Sequence, residues 1–177
     1  MWSFFRWARS LPHVLRGASA LRRKNHERVV ECYTRAFEIW EDTEYLHIRA
    51  HAYRQLGKHG MAVADLTRII EIDANDRHAY FLRADLNRER GFFPQALADY
   101  DYLIENSEGM VLAYVCRAYC LMDAEKFREA LDNCKTVLEL EPHNKFALDI
   151  QAWCIQCVKK GEDEKMEEKA GGERGAN

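Results

Sequence analysis

The chain has 177 residues, with 26 Lys and Arg against 29 Asp and Glu, and 47% of it is hydrophobic. A net charge of −3 lacks the basic excess of a whole-chain nucleic-acid footprint, and so large a hydrophobic share excludes an acidic disordered chain. With 3 Pro and 9 Gly it is too sparsely punctuated for a turn-rich all-β domain, and no run of apolar residues is long enough for a transmembrane helix.

Residues 1–26 carry Arg6, Arg9, Arg16, Arg22, Arg23 and Lys24, with no Asp or Glu before Glu27. Trp2, Phe4, Phe5, Trp7, Leu11, Val14 and Leu15 are interleaved with them. An acid-free, Arg-rich amphipathic start fits a mitochondrial transit peptide. It equally fits a helix docking weakly on a membrane or on a complex, or one packing its aromatics on the element that follows. Arg6 and Arg9 interrupt any secretory apolar core. Six Cys without such a leader read as reduced thiols of an intracellular, cytoplasmic protein, with a mitochondrial address as the alternative.

From residue 43 the sequence repeats. Arg49-Ala50, Arg83-Ala84 and Arg117-Ala118 recur every 34 residues, as do Ala62, Ala96 and Ala130. The same offset links Leu46, Tyr80 and Tyr114; Leu66, Tyr100 and Cys134; Ile69, Leu103 and Val137; and Glu71, Glu105 and Glu139. A weaker copy over 10–42 aligns with a shift of 33, placing Arg16-Gly17 on Arg49-Ala50 and Tyr33 on Leu66. Each copy predicts two helices. In the first, the apolar spacing of 45–56 and of 61–72 is helical. Gly57 stands where a C-cap takes a left-handed residue, and 73–76 supplies the break and the next N-cap. Breaks at 106–109 and 141–144 close the next two copies. The small Ala50 and Ala62 let the paired helices approach closely. Residues 145–160 restart the pattern as one capping helix, with Phe146, Leu148, Ile150, Trp153 and Ile155 over the last apolar face. Residues 161–177, Glu, Asp, Lys and Gly with almost no apolar side chain, read as a disordered tail.

Catalytic signals are weak. Cys154 and Cys157 form a CxxC without the second pair a zinc site needs, and the motif falls late in a helix, not at the N-terminus that would activate a thiol. His47 and His51 lie at i, i+4 without a metalloprotease carboxylate. No phosphate loop, nucleophile elbow or carboxylate pair stands out. The expectation is no enzyme, no metal and no cofactor.

In the third copy Tyr114, Ala118, Leu121, Glu125, Ala130, Cys134 and Pro142 stand at the positions of a known repeat pattern: large, Gly or Ala, aromatic, turn Gly, Ala, large, Pro. Residues 43–76, 77–110 and 111–144 thus resemble three tetratricopeptide repeats (TPR), and 10–42 a degenerate fourth. Asn87 and Glu125 depart from the pattern, at the aromatic and turn-Gly positions. The resemblance implies an all-α, right-handed superhelical solenoid with a C-terminal capping helix, preceded by a basic aromatic segment at 1–9. It implies a concave groove lined by the first helix of each pair. Transferred inward positions name His47, His51 and Arg54, then Phe81, Asp85 and Arg88, then Val115, Tyr119 and Met122 as partner-binding residues. That lining grades from basic to apolar and suits a protein or peptide with an acidic end. Arg49, Arg83 and Arg117 each precede a partner by 16 residues, Asp65, Asp99 and Asn133, and read as structural pairs within a repeat or between repeats. The function so implied is a non-catalytic interaction adaptor. The alternative is a structural subunit of a large organellar or cytoskeletal assembly, docking through its edges and N-terminal helix. The Lys and Asn set that clamps chaperone Glu-Glu-Val-Asp tails in some TPR proteins is missing, which ranks a co-chaperone role below both.

Overall fold

The computed structural model describes the backbone of residues 2–106 and 111–174 and the side chains of residues 5–106 and 111–162. Every described element is an α-helix, and the chain divides into two compact units between Arg90 and Gly91. That boundary falls inside the copy expected at 77–110. The part of the 106–109 break beyond Asn106 lies outside the described residues.

The first unit contains α1 (Trp2–Arg22), α2 (His26–Ile39), α3 (Thr43–Gln55), α4 (His59–Ile72) and α5 (Arg77–Glu89). Each helix packs on the next in chain order. Side-chain caps set three of the starts. Asn25 accepts from the Arg28 N–H at 2.9 Å, Asp42 from Glu44 at 3.0 Å and Asp76 from Ala79 at 2.9 Å. The turns between paired helices take left-handed backbone at Lys24 (φ 55°) and Gly57 (φ 69°). These positions are 33 residues apart, the register of the degenerate copy.

Two clusters make the core. One gathers Ala20, Val29, Tyr33, Ala36, Tyr45 and Ala52, the other Leu46, Ala50, Tyr53, Ala62, Leu66, Ile69, Ala79 and Leu86. A fully buried Leu or Ile contributes roughly 2 kcal/mol, so the repeat columns carry most of the stability. Gly17 occupies the Ala50 column of its copy for a steric reason. A Cβ there would lie 2.5 Å from Cε2 of Tyr33. The Tyr33 ring is itself held against Tyr45, with centroids 5.8 Å apart.

Of the segment expected as a separate 1–9, residues 2–9 are continuous with the helix that follows. Residues 2–11 contain neither Gly nor Pro, and Arg6 Nε donates to the Ile39 carbonyl at 3.0 Å. Ser10 is fully buried, with its hydroxyl 3.3 Å from the Tyr45 hydroxyl.

The second unit contains α6 (Phe93–Glu105), α7 (Val111–Asp123), α8 (Phe127–Leu140) and α9 (Lys145–Arg174), again packed serially, with α9 also touching α7. Gly91 (φ 76°) and Glu125 (φ 58°) hold the left-handed turn position. The core is Val115, Ala118, Leu121, Ala130, Cys134, Val137, Ala147, Ile150 and Cys154.

The capping helix differs from expectation in two ways. Its buried face is Ala147, Ile150 and Cys154, whereas Phe146, Leu148, Trp153 and Ile155 are exposed. The reason is register: Ala147 continues the fully buried small-residue column of Ala79 and Ala113, so α9 is oriented as the first helix of a further repeat. The backbone also stays helical to Arg174, past the boundary at 160 and into the stretch read as a tail. Residues 162–170 are Glu, Asp, Lys, Met and Ala without Pro, nearly all of them good helix formers.

Candidate functional site

In the first unit, α3 and α5 meet through polar side chains along one face. His47 Nε2 lies 2.7 Å from Asp76 Oδ2, at the α5 N-cap. The His47 ring stacks on His78, with centroids 5.1 Å apart. Two turns further on, Arg54 Nη2 donates to Asp85 Oδ2 at 2.9 Å and also to Glu89. Arg88 donates to the other Asp85 oxygen at 3.2 Å. Phe81 is half-buried and His51 exposed on these helices. Burial pushes the Asp76 carboxyl up. The His47 hydrogen bond, the Ala79 N–H and the charges of His47 and His78 outweigh it and hold Asp76 below its ordinary value.

This geometry corrects the charge expected of the face. Arg54 and Arg88 are neutralised by Asp85 and Glu89, and His47 is engaged by Asp76. Arg54 therefore braces α3 against α5, Arg88 holds Asp85 from within α5, and the face presents little net positive charge. In the sequence, Asp76 reads only as a cap. Its second role follows because the N-cap of one first helix comes beside the second turn of the preceding one.

In the second unit the three named residues separate. Val115 is 4% exposed and belongs to the core with Ala118 and Ile150. It cannot present its side chain to a partner, because its position on α7 faces the helices packed against it. Tyr119 and Met122 are half-buried against that same cluster.

The arginine column ties helices together. Arg49 grips Asp65 on α4 with two bonds, Nε–Oδ2 at 2.8 Å and Nη2–Oδ1 at 2.6 Å, and reaches Thr34 on α2 with Nη1 at 3.0 Å. In the second unit Arg117 donates to Asn133 on α8 at 3.1 Å and to Asp101 on α6 at 2.6 Å. Arg83 donates to Thr67 on α4 at 3.1 Å. Each fork therefore reaches back to the preceding second helix, and Arg49 and Arg117 also reach forward to the following one. Thr34, Thr67 and Asp101 form a repeat column that a search for acidic partners overlooks, since two of them are uncharged. A planar five-donor guanidinium suits such bridging better than a lysine would.

The cysteines are thiols. Cys154 is buried and Cys157 half-buried. Burial, with the neighbouring Cys154, pushes Cys134 up to about 11; burial and then Cys157 also raise Cys154. These are packing groups at neutral pH. Among the described residues no set of three or more His, Cys, Asp or Glu is placed to hold a metal ion. No described helix is long and apolar enough to cross a membrane.

Residues 43–76 match the family model described as tetratricopeptide repeat. No protein of curated function matches the chain by sequence. Several solved structures share its fold. YrrB, described as a TPR protein with an unusual peptide-binding site, is 17% identical with a TM-score of 0.71, covering 81% of this chain and 74% of its own. MamA from Desulfovibrio magneticus RS-1 is 15% identical with a TM-score of 0.68, covering 89% and 96%. The first TPR of Spaghetti (RPAP3), solved bound to the HSP90 peptide SRMEEVD, is 23% identical with a TM-score of 0.60, covering 67% and 94%. The described residues thus have the all-α tetratricopeptide-repeat fold.

Proposed function

We propose that this protein is a non-catalytic adaptor that holds an extended segment of a partner protein on the first-helix face formed by α3 and α5. One observation carries the reading. The α3–α5 face is pre-organised by cross-helix ion pairs, with His51 exposed and Phe81 half-buried on it. Rigid faces lose little entropy on binding. The peptide-bound state of the Spaghetti domain and the peptide-binding site named for YrrB support this use of the fold.

Because Arg54 and Arg88 are already paired, the segment favoured here is polar and near-neutral, with an aromatic or aliphatic side chain for Phe81. On α7, Tyr119 and Met122 offer apolar contact of the same kind. Arg49, Arg83 and Arg117 act as structural braces.

The test is affinity purification with quantitative mass spectrometry, comparing the parent chain with His51→Ala/Phe81→Ala/Arg88→Ala. Loss of specific partners from a variant with unchanged helicity and melting supports the reading. Unchanged recovery of every partner overturns it.

A further inference from the structure

We infer that α1 is a docking helix for an anionic membrane surface, a function separate from the α3–α5 face. Helix α1 has two apolar sides. One packs into the first unit through Ser10, Gly17 and Ala20, all buried. The other is left outside: Phe5 is 61% exposed, Trp7 43%, Leu11 37% and Leu15 62%. Trp7, Leu11 and Leu15 stand at i, i+4 and i+8, so they form one outward row.

The chemistry beside that row commits the occupant. Arg22, exposed and seven residues beyond Leu15, continues the line of that row, whereas the exposed Arg9 and Arg16 stack on each other about 100–160° round the helix from it. Arg23 and Lys24 follow, also exposed, at the end of the helix. Arg16, Arg23 and Arg28 line a cavity of about 290 Å³ at the α1–α2 turn, shared with Ser19 and Asn25. Arg28 is answered by Glu31 at 2.5 Å, whereas no acid stands in the chain before Glu27.

A protein partner for the apolar row needs no such excess. A bilayer bearing anionic headgroups needs both features at once. The Trp, Phe and Leu side chains enter the headgroup–acyl boundary while the arginines meet phosphate. The cavity suits a phosphate group, since guanidinium and side-chain N–H and O–H donors surround it. Arg6 takes no part, because it is spent on the Ile39 carbonyl.

The experiment is vesicle co-sedimentation of the full chain on phosphatidylcholine alone and on phosphatidylcholine with phosphatidylglycerol, at low and high salt. The parent should partition at least tenfold more strongly to the anionic vesicles and be released by high salt. Leu11→Ser/Leu15→Ser and Arg22→Gln/Arg23→Gln should each weaken partitioning at least tenfold. All four side chains are exposed, and circular-dichroism melts matching the parent confirm the fold. A variant that melts early is replaced by Phe5→Ser or Arg16→Gln, whose side chains are likewise exposed. Equal partitioning to both vesicle types, no sedimentation with either, or variants that bind like the parent overturn the proposal. So does a protein partner lost with the same variants while vesicles stay unbound.

Discussion

Replacing Asp65 with alanine isolates the arginine brace. Asp65 is 6% exposed and accepts two bonds from Arg49, whose remaining partner is the Thr34 hydroxyl. The substitution removes both charge-assisted bonds and leaves a mostly buried guanidinium with one neutral acceptor. Breaking a buried pair from one side costs about 3–5 kcal/mol. Thr34 and the 16% exposure of the Arg49 side chain place this case near the lower end. For a chain of this length about 3 kcal/mol lowers the melting temperature by about 6–12 °C. Arg49→Met/Asp65→Leu removes both charges and fills the space, so it should return to within about 1 kcal/mol of the parent. Urea unfolding followed by circular dichroism measures both. A cost below about 1 kcal/mol for Asp65→Ala, or a double variant no better than the single, would refute the claim that this pair clamps α3 to α4.

Four further outcomes follow from individual residues. Gly17→Val should destabilise the first unit by about 1–3 kcal/mol through overpacking against Tyr33, and a Tm equal to the parent's would contradict the close approach. Glu125→Gly should stabilise by about 0.5–1 kcal/mol, because it relieves a left-handed side chain at the turn; a lowered urea midpoint would count against it. Asp76 is held below its ordinary value when folded, so the unfolded state binds more protons as pH falls. Its contribution is therefore full above about pH 4 and is lost as pH drops through the lower folded value. The destabilisation of Asp76→Ala should shrink between pH 7 and pH 3, and a gap that stays constant in unfolding experiments would show that His47 does not sustain the carboxylate. In the folded protein at pH 8, Cys116 and Cys157 should alkylate before Cys134 and Cys154, with peptide mapping that finds Cys134 labelled first as the contrary result.

Much of this fold is written in the repeat columns. Ala50, Ala84 and Ala118, like Ala62, Ala96 and Ala130, are buried as the 34-residue period requires. Gly57 and Gly91 take the positive φ the turn demands. The ends were less legible, because a helix with apolar residues on both sides does not reveal which side packs. Phe146 and Trp153 are large yet exposed, since the column at α9 asks for the small Ala147. Val115 failed as a site residue for a related reason: inward positions transferred from a family pattern do not report the helix rotation that puts this side chain in the core. Charge on the α3–α5 face was misread for want of geometry. Residue counts show Arg54 and Arg88, but only the packing shows both paired with Asp85.

Photo-crosslinking tests the central claim most directly. A photoreactive amino acid is placed at position 51 or 81 on the α3–α5 face, and at the exposed position 71 on α4 as comparison. The account predicts crosslinks from 51 and 81 to one short segment of the partner and none from 71. Crosslinks chiefly from 71, with 51 and 81 silent, would contradict it.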